Sequence, residues 1–224
     1  MPIEPTAPET NTSLGPLLRA GPIDAPWVLC LAHGAGAPMD SPFMEAIAAR
    51  LSARALHVVR FEFPYMQRRR SEGTRRPPDR QPKLLDAWRD IHATLKATLA
   101  PHQRLAIGGK SMGGRMASLI ADEVGADALI CLGYPFHPPG KPDRLRTDHL
   151  LALQTPTLIV QGERDPFGRR EEVDCYPLSQ AIQVLWTEDG DHDLKPRKRS
   201  GITKDGVLEA ATQNIVDFLH AGVE

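Results

Sequence analysis

Residues 108 to 115 read GGKSMGGR, and Gly109, Lys110, Ser111, Met112 and Gly113 within them form GxSxG. A serine hydroxyl is a weak nucleophile at neutral pH; it needs a base to take its proton and an acid to orient that base. Two later positions supply both in the order such chemistry uses in open α/β sheets. Asp165 stands in ERDPFG, 54 residues on (165 − 111), and His192 stands in GDHDLKP, a further 27 (192 − 165). With Ser111 as nucleophile, His192 as base and Asp165 as its orienting acid, the set would carry acyl transfer. Glu163 is the nearest competitor for the acid role. The tetrahedral oxyanion of that reaction requires backbone N–H donors, one from the residue after the nucleophile and one from the loop after an earlier strand. Met112 meets the first requirement, and Ala35 in HGAGAPMDS is assigned to the second.

The same eight residues end a phosphate-loop signature, Gly-Lys-Ser. That signature, GxxxxGK[ST], would need its first glycine at position 104, where Arg104 stands. Without it, no turn wraps backbone amides round a phosphate. The sequence also lacks GxGxxG, CxxC and HExxH, so no cofactor or metal is implied.

For three residues from distant positions to meet, regular elements must carry them. Apolar runs WVLCLAH (27–33), HVVRFEF (57–63), RLAIG (104–108), ALICLGY (128–134), TLIVQG (157–162) and IQVLWT (182–187) read as strands, most of them continuous enough to be covered on both faces. Helical spacing separates them: PFMEAIAARLSAR after Ser41, a plausible N-cap; Leu84, Leu85, Trp88, Ile91 and Leu95; MASLIADE after the serine; and Val207, Leu208, Ala211, Ile215 and Leu219. Alternation of this kind predicts a doubly wound α/β domain, mostly parallel, of about six to seven strands, over residues 13–224 after a flexible tail at 1–12. In such sheets ligands gather at the carboxyl ends of the strands, which is where Ser111, Asp165 and His192 stand.

The 224 residues fit one such domain, and 27 basic against 28 acidic residues leave a net charge of −1. No global field draws the chain to nucleic acid or to a membrane. No run of about 20 apolar residues occurs, and MPIEPTAPETNT lacks the basic and apolar regions of a leader, so the expected location is cytoplasmic. Cys30, Cys131 and Cys175 are odd in number and widely spaced, which predicts buried free thiols. Arg68, Arg69, Arg70, Arg75, Arg76 and Arg80 crowd a segment read as a loop, where a solvated surface with scattered ion pairs is favoured over an anion site.

Taken in order, HGAGAPMDSPFM, FEFPYM, RRPPDR, GGKSMGGRMAS, GYPFHPPGKP, QGERDPFG and GDHDLKP resemble one branch of the α/β-hydrolase superfamily over roughly residues 25 to 220. That branch comprises small bacterial relatives of the hydrolase-like domain in a testis-expressed protein and in a subunit of a histone acetyltransferase complex, with dienelactone hydrolases more distant. The resemblance implies the α/β-hydrolase fold and maps nucleophile, acid and base onto Ser111, Asp165 and His192; the sequence itself holds no insertion large enough for a lid domain. The expectation is a serine hydrolase acting on an ester, thioester or lactone of a small to medium acyl substrate. Its rival is a non-enzymatic interaction domain that kept the fold, although a scaffold has no physical need of the three residues.

Overall fold

Runs that are apolar at most positions leave neither face in water, and the computed structural model, which describes residues 15–221, buries them on both faces. Trp27–Ala32 (β2), His57–Phe61 (β3), Ala128–Leu132 (β5) and Thr157–Gly162 (β6) are buried throughout, and Arg104–Lys110 (β4) at every position but its first. They join Leu18–Ala20 (β1) and Ile182–Thr187 (β7) in one sheet ordered β1-β3-β2-β4-β5-β6-β7. All neighbours pair in parallel except β1, which runs antiparallel to β3. β7 lies at the sheet edge and is only half-buried.

The helices are Pro42–Ser52 (α1), Pro64–Glu72 (α2), Gln81–Lys96 (α3), Met112–Ser118 (α4), Ala121–Val124 (α5), Arg170–Val173 (α6) and Lys204–Ala221 (α7). Strand alternation divides the core between the two faces. Val28 and Cys30 of β2 pack with Trp88 and Ile91 of α3 and Met116 of α4, whereas Leu29 and Leu31 pack with Ile47 of α1 and Ile215 of α7. Chain direction across the sheet reverses beside β2, with β3 on one side and β4 on the other. A crevice opens there at the carboxyl ends of both strands.

The structure differs from the sequence reading in five places. β1 was not legible: it is three residues long and shows no alternation. α2 takes Pro64 at its first turn and ends at Gly73 in the left-handed conformation, so Arg68, Arg69 and Arg70 are helical rather than in a loop. Only Tyr65 and Met66 of that helix are buried, too few to make an apolar stripe. The helix after the serine divides at Leu119 and Ile120 into α4 and α5. Ser41 stands at the N-cap of α1 but makes no side-chain cap bond. Cys30 and Cys131 are buried free thiols, whereas Cys175 is exposed. The tail read at 1–12 lies outside the described residues. No helix among the described residues is long and apolar enough to cross a membrane.

Below the crevice, the imidazole of His149 sits 2.8 Å from Ser118 Oγ and 3.4 Å from Tyr134 Oη. Burial, reinforced by the Arg115 guanidinium, lowers its pKa to about 4. In the unfolded chain an ordinary histidine takes up a proton near ~6.5. Between those values the unfolded state binds more protons, so this group's contribution to stability is present above ~6.5 and lost as pH falls toward 4. Urea midpoints recorded from pH 4.5 to 7.5 are expected to fall on acidification, and His149→Gln to flatten part of that fall. An unchanged slope in the variant would contradict this account of His149.

Candidate active site

β4 ends at Lys110 and α4 begins at Met112, leaving Ser111 alone to turn strand into helix. It does so at φ 51° and ψ −115°, a conformation that side-chain-bearing residues rarely adopt. The cause lies in its neighbours. A Cβ on Gly109 would stand 2.2 Å from the Ala32 carbonyl oxygen, and one on Gly113 2.6 Å from the same atom. Both glycines allow strand and helix to close onto β2, and the residue between them absorbs the bend. The turn is held by Ser111 N–H donating to Leu132 O at 2.9 Å and by Arg115 N–H donating to Ser111 O at 3.0 Å. From beneath, Trp88 Nε1–H donates to Gly113 O at 3.3 Å.

After β6 the chain folds into a tight turn, with Asp165 N–H donating to Gly162 O and Gly168 N–H to Asp165 O. The Asp165 carboxylate is wholly buried. It accepts from Phe167 N–H at 2.9 Å, from Gln161 Nε2–H at 3.0 Å and from His192 Nδ1–H at 2.7 Å. A carboxylate accepts only, so Nδ1 carries the proton and Nε2 presents a lone pair. Among the described residues His192 Nε2 and Ser111 Oγ form no hydrogen bond, to each other or to a third group, although both side chains face one cleft. The His192 ring packs against Phe167 with centroids 4.3 Å apart. Its loop is held by the Asp191 carboxylate, which accepts from Asp193 and Lys195 N–H groups, and by Asp189, paired with Arg164 and Arg197.

HGAG follows β2. Phe63 N–H donates to His33 Nε2 at 3.2 Å, which fixes the tautomer and leaves Nδ1–H to donate to Gly34 O at 2.7 Å. Tyr65 Oη–H reaches the same carbonyl at 3.3 Å and that of Ala35 at 3.0 Å. In a trans peptide N–H and C=O point opposite ways, so anchoring Gly34 O turns the Ala35 N–H to the other side of the loop. Met112, the first residue of α4, has an N–H with no intrahelical acceptor. The anchoring roles of His33 and Tyr65 escaped the sequence reading, which saw HGAG as small residues at a turn. Burial lowers the pKa of His33 and so favours this neutral form.

Ser111, His192 and Ala35 line one cleft of about 500 Å³, whose other walls include Pro42, Phe43, Met44 and Phe167. Asp165 stands behind His192, away from that surface. Glu163 does not touch His192; it accepts from Asp189 N–H at 3.0 Å and pairs with Arg170 at 2.9 Å. Three of the six arginines are paired: Arg70 with Glu62 and Asp40, Arg68 with Asp79 and Arg76 with Glu72. The serine–histidine hydrogen bond among the described residues is that of Ser118 with His149, but Ser118 is buried within the end of α4 and its hydroxyl donates to Arg115 O.

Residues 25–220 match the family model described as an alpha/beta hydrolase domain, and the chain belongs to that family. The fold recurs in solved proteins. An α/β serine hydrolase without a lid from Xanthomonas campestris aligns with a TM-score of 0.66 at 22% identity, over 96% of this chain and 98% of that one. An alpha-beta serine hydrolase homologue from Coxiella burnetii gives 0.68 at 17%, over 97% and 99%. A dienelactone hydrolase from Anabaena variabilis gives 0.68 at 19%, over 92% and 91%. By class the chain is therefore a hydrolase.

If the backbone at Ser111 is strained, removing its Cβ should relax it. Ser111→Gly is expected to be more stable than Ser111→Ala by about 1 kcal/mol, the relief of strain exceeding glycine's greater unfolded-state freedom. Paired urea titrations check this. Equal stability of the two variants would remove the argument for strain.

Proposed function

We propose that the chain is a serine hydrolase that cleaves an ester, thioester or lactone through an acyl-enzyme. The observation that carries this reading is the 2.7 Å bond from His192 Nδ1–H to buried Asp165, made by an imidazole that shares a cleft with the strained Ser111. Ser111 Oγ attacks the acyl carbonyl while His192 Nε2 takes the hydroxyl proton. The tetrahedral intermediate places its negative oxygen on the N–H groups of Ala35 and Met112. Collapse breaks the bond to the leaving group, which receives the proton from His192. Water then repeats the sequence on the acyl-enzyme, releasing the acid and restoring Ser111. Asp165 keeps His192 in the tautomer that can accept at Nε2, and stabilises the imidazolium while it exists.

Alanine, proline, phenylalanine and methionine side chains dominate the cleft walls, which suits an acyl group of small to medium size with an apolar body. The dienelactone hydrolase among the structural neighbours is named for a lactone, and lactones stay within this substrate range. The motif set supports the finer placement beside the testis-expressed and acetyltransferase-subunit relatives. Three free cysteines suit a reducing, cytoplasmic setting.

A fluorophosphonate probe is expected to add to Ser111 of the wild-type protein, giving a mass shift located to the peptide that contains it, and Ser111→Ala to abolish the adduct. Asp165→Asn should lower hydrolysis of p-nitrophenyl acetate by about 10⁴. A folded wild type that takes no label at millimolar probe, and that retains a binding partner in pull-down, would support the interaction-domain alternative instead.

A further inference from the structure

We propose that Lys110 is a positioning residue, an ammonium clamp that ties the backbone of the His192 loop to the strand bearing Ser111. This rests on the serine-hydrolase reading above.

Lys110 is the last residue of β4 and only 7% exposed. An ammonium has three donors and no acceptor, and burying one without partners is costly. Each of its faces is met. Nζ donates to the carbonyl oxygen of His192 itself, lies 3.3 Å from the Asp193 carboxylate, and sits 5.3 Å from the centroid of the Phe43 ring. Two of these partners belong to the His192 loop. The third is a wall of the cleft.

The contact has its own space. Gly133, at the end of β5 with φ 67°, would place a Cβ 2.8 Å from His192 O and 3.0 Å from Lys110 Nζ. Any larger residue would wedge the two apart. Burial favours the neutral amine, and the carboxylates of Asp193, Asp165 and Asp191 act against it.

The division of labour follows from which atoms are held. Asp165 grips the imidazole at Nδ1 and sets the plane of the ring. Lys110 grips the carbonyl of the same residue and sets where its backbone stands relative to Ser111, the residue that follows β4. Ring orientation without backbone placement would leave Nε2 free to drift from Oγ, and an error near 1 Å in such geometry costs about 10²-fold in rate. Lys110 also lines the cleft, so a substrate-binding role is the rival that the effect on KM separates from the clamp.

The test compares Lys110→Met, Lys110→Arg and wild type, with p-nitrophenyl acetate as substrate, fluorophosphonate as probe, and urea midpoints recorded for each. Lys110→Met is expected to lower kcat by about 10- to 100-fold with KM within about twofold, and to slow the saturating rate of labelling in parallel. Lys110→Arg, which keeps charge and donors, should recover part of both. Hydrogen–deuterium exchange of peptides spanning residues 188–196 should quicken in Lys110→Met. That readout needs no turnover, so it separates failure of the clamp from failure of the hydrolase reading. A rise in KM at constant kcat would mark Lys110 as a substrate-binding group and overturn the proposal. Unchanged exchange would overturn it as well, and so would equal loss in Met and Arg variants that tracks their urea midpoints. Should Lys110→Met not fold, Asp193→Asn carries the test: a fall in kcat of about threefold or more at unchanged KM supports the clamp, and no change contradicts it.

Discussion

The close approach of β4 and α4 to β2 is the constraint on which the rest of the site depends. Where Gly109 and Gly113 meet the Ala32 carbonyl, no side chain fits, and the strand must turn into the helix within a single residue. That residue is Ser111, held in a conformation costing roughly 1–3 kcal/mol. The sheet can carry such a cost because β2, β4 and β5 are buried on both faces, with helices packed from each side. A hydroxyl at the apex of a strained turn stands clear of the backbone and can be approached from the cleft. Fold stability and chemistry thus meet at one peptide, where they oppose each other.

Around that apex, each group of the proposed site is held by a hydrogen-bonded partner, near or far in the chain. Gln161 of β6 and the Phe167 amide hold Asp165, Asp165 holds the His192 ring, and His33 with Tyr65 orients the peptide that carries the Ala35 N–H. None of these supports depends on a bound ligand. On the proposed mechanism the site is therefore assembled in the resting fold, with hydrogen-bond donors where charge would develop.

How much of this could be read from the sequence follows from the range of the forces involved. The six long strands and the helices α1, α3 and α7 were legible because burial on one or two faces leaves a period in the residues themselves. Asp165 and His192, which the structure joins by a hydrogen bond, stood out in sequence because each lies just past a strand end. α2 was not, since Tyr65 and Met66 are its only buried residues and the run of arginines hides them. Glu163 and Asp165 were hard to separate by type, and only the turn after β6 shows which of them faces His192. The Lys110 contact left no local trace either: its acceptor lies 82 residues away. In sequence the lysine reads as half of a phosphate loop, and only the fold gives its ammonium a partner.

The central claim is that Ser111, His192 and the amides of Ala35 and Met112 converge on one acyl carbonyl. A crystal structure of the phosphonylated protein tests it most directly, because a phosphonyl group stands in for the tetrahedral intermediate. The account predicts phosphorus bonded to Ser111 Oγ, with one phosphonyl oxygen about 2.7–3.1 Å from both the Ala35 and Met112 nitrogens. An adduct on another side chain, or one whose oxygen faces solvent with both amides unoccupied, would contradict it.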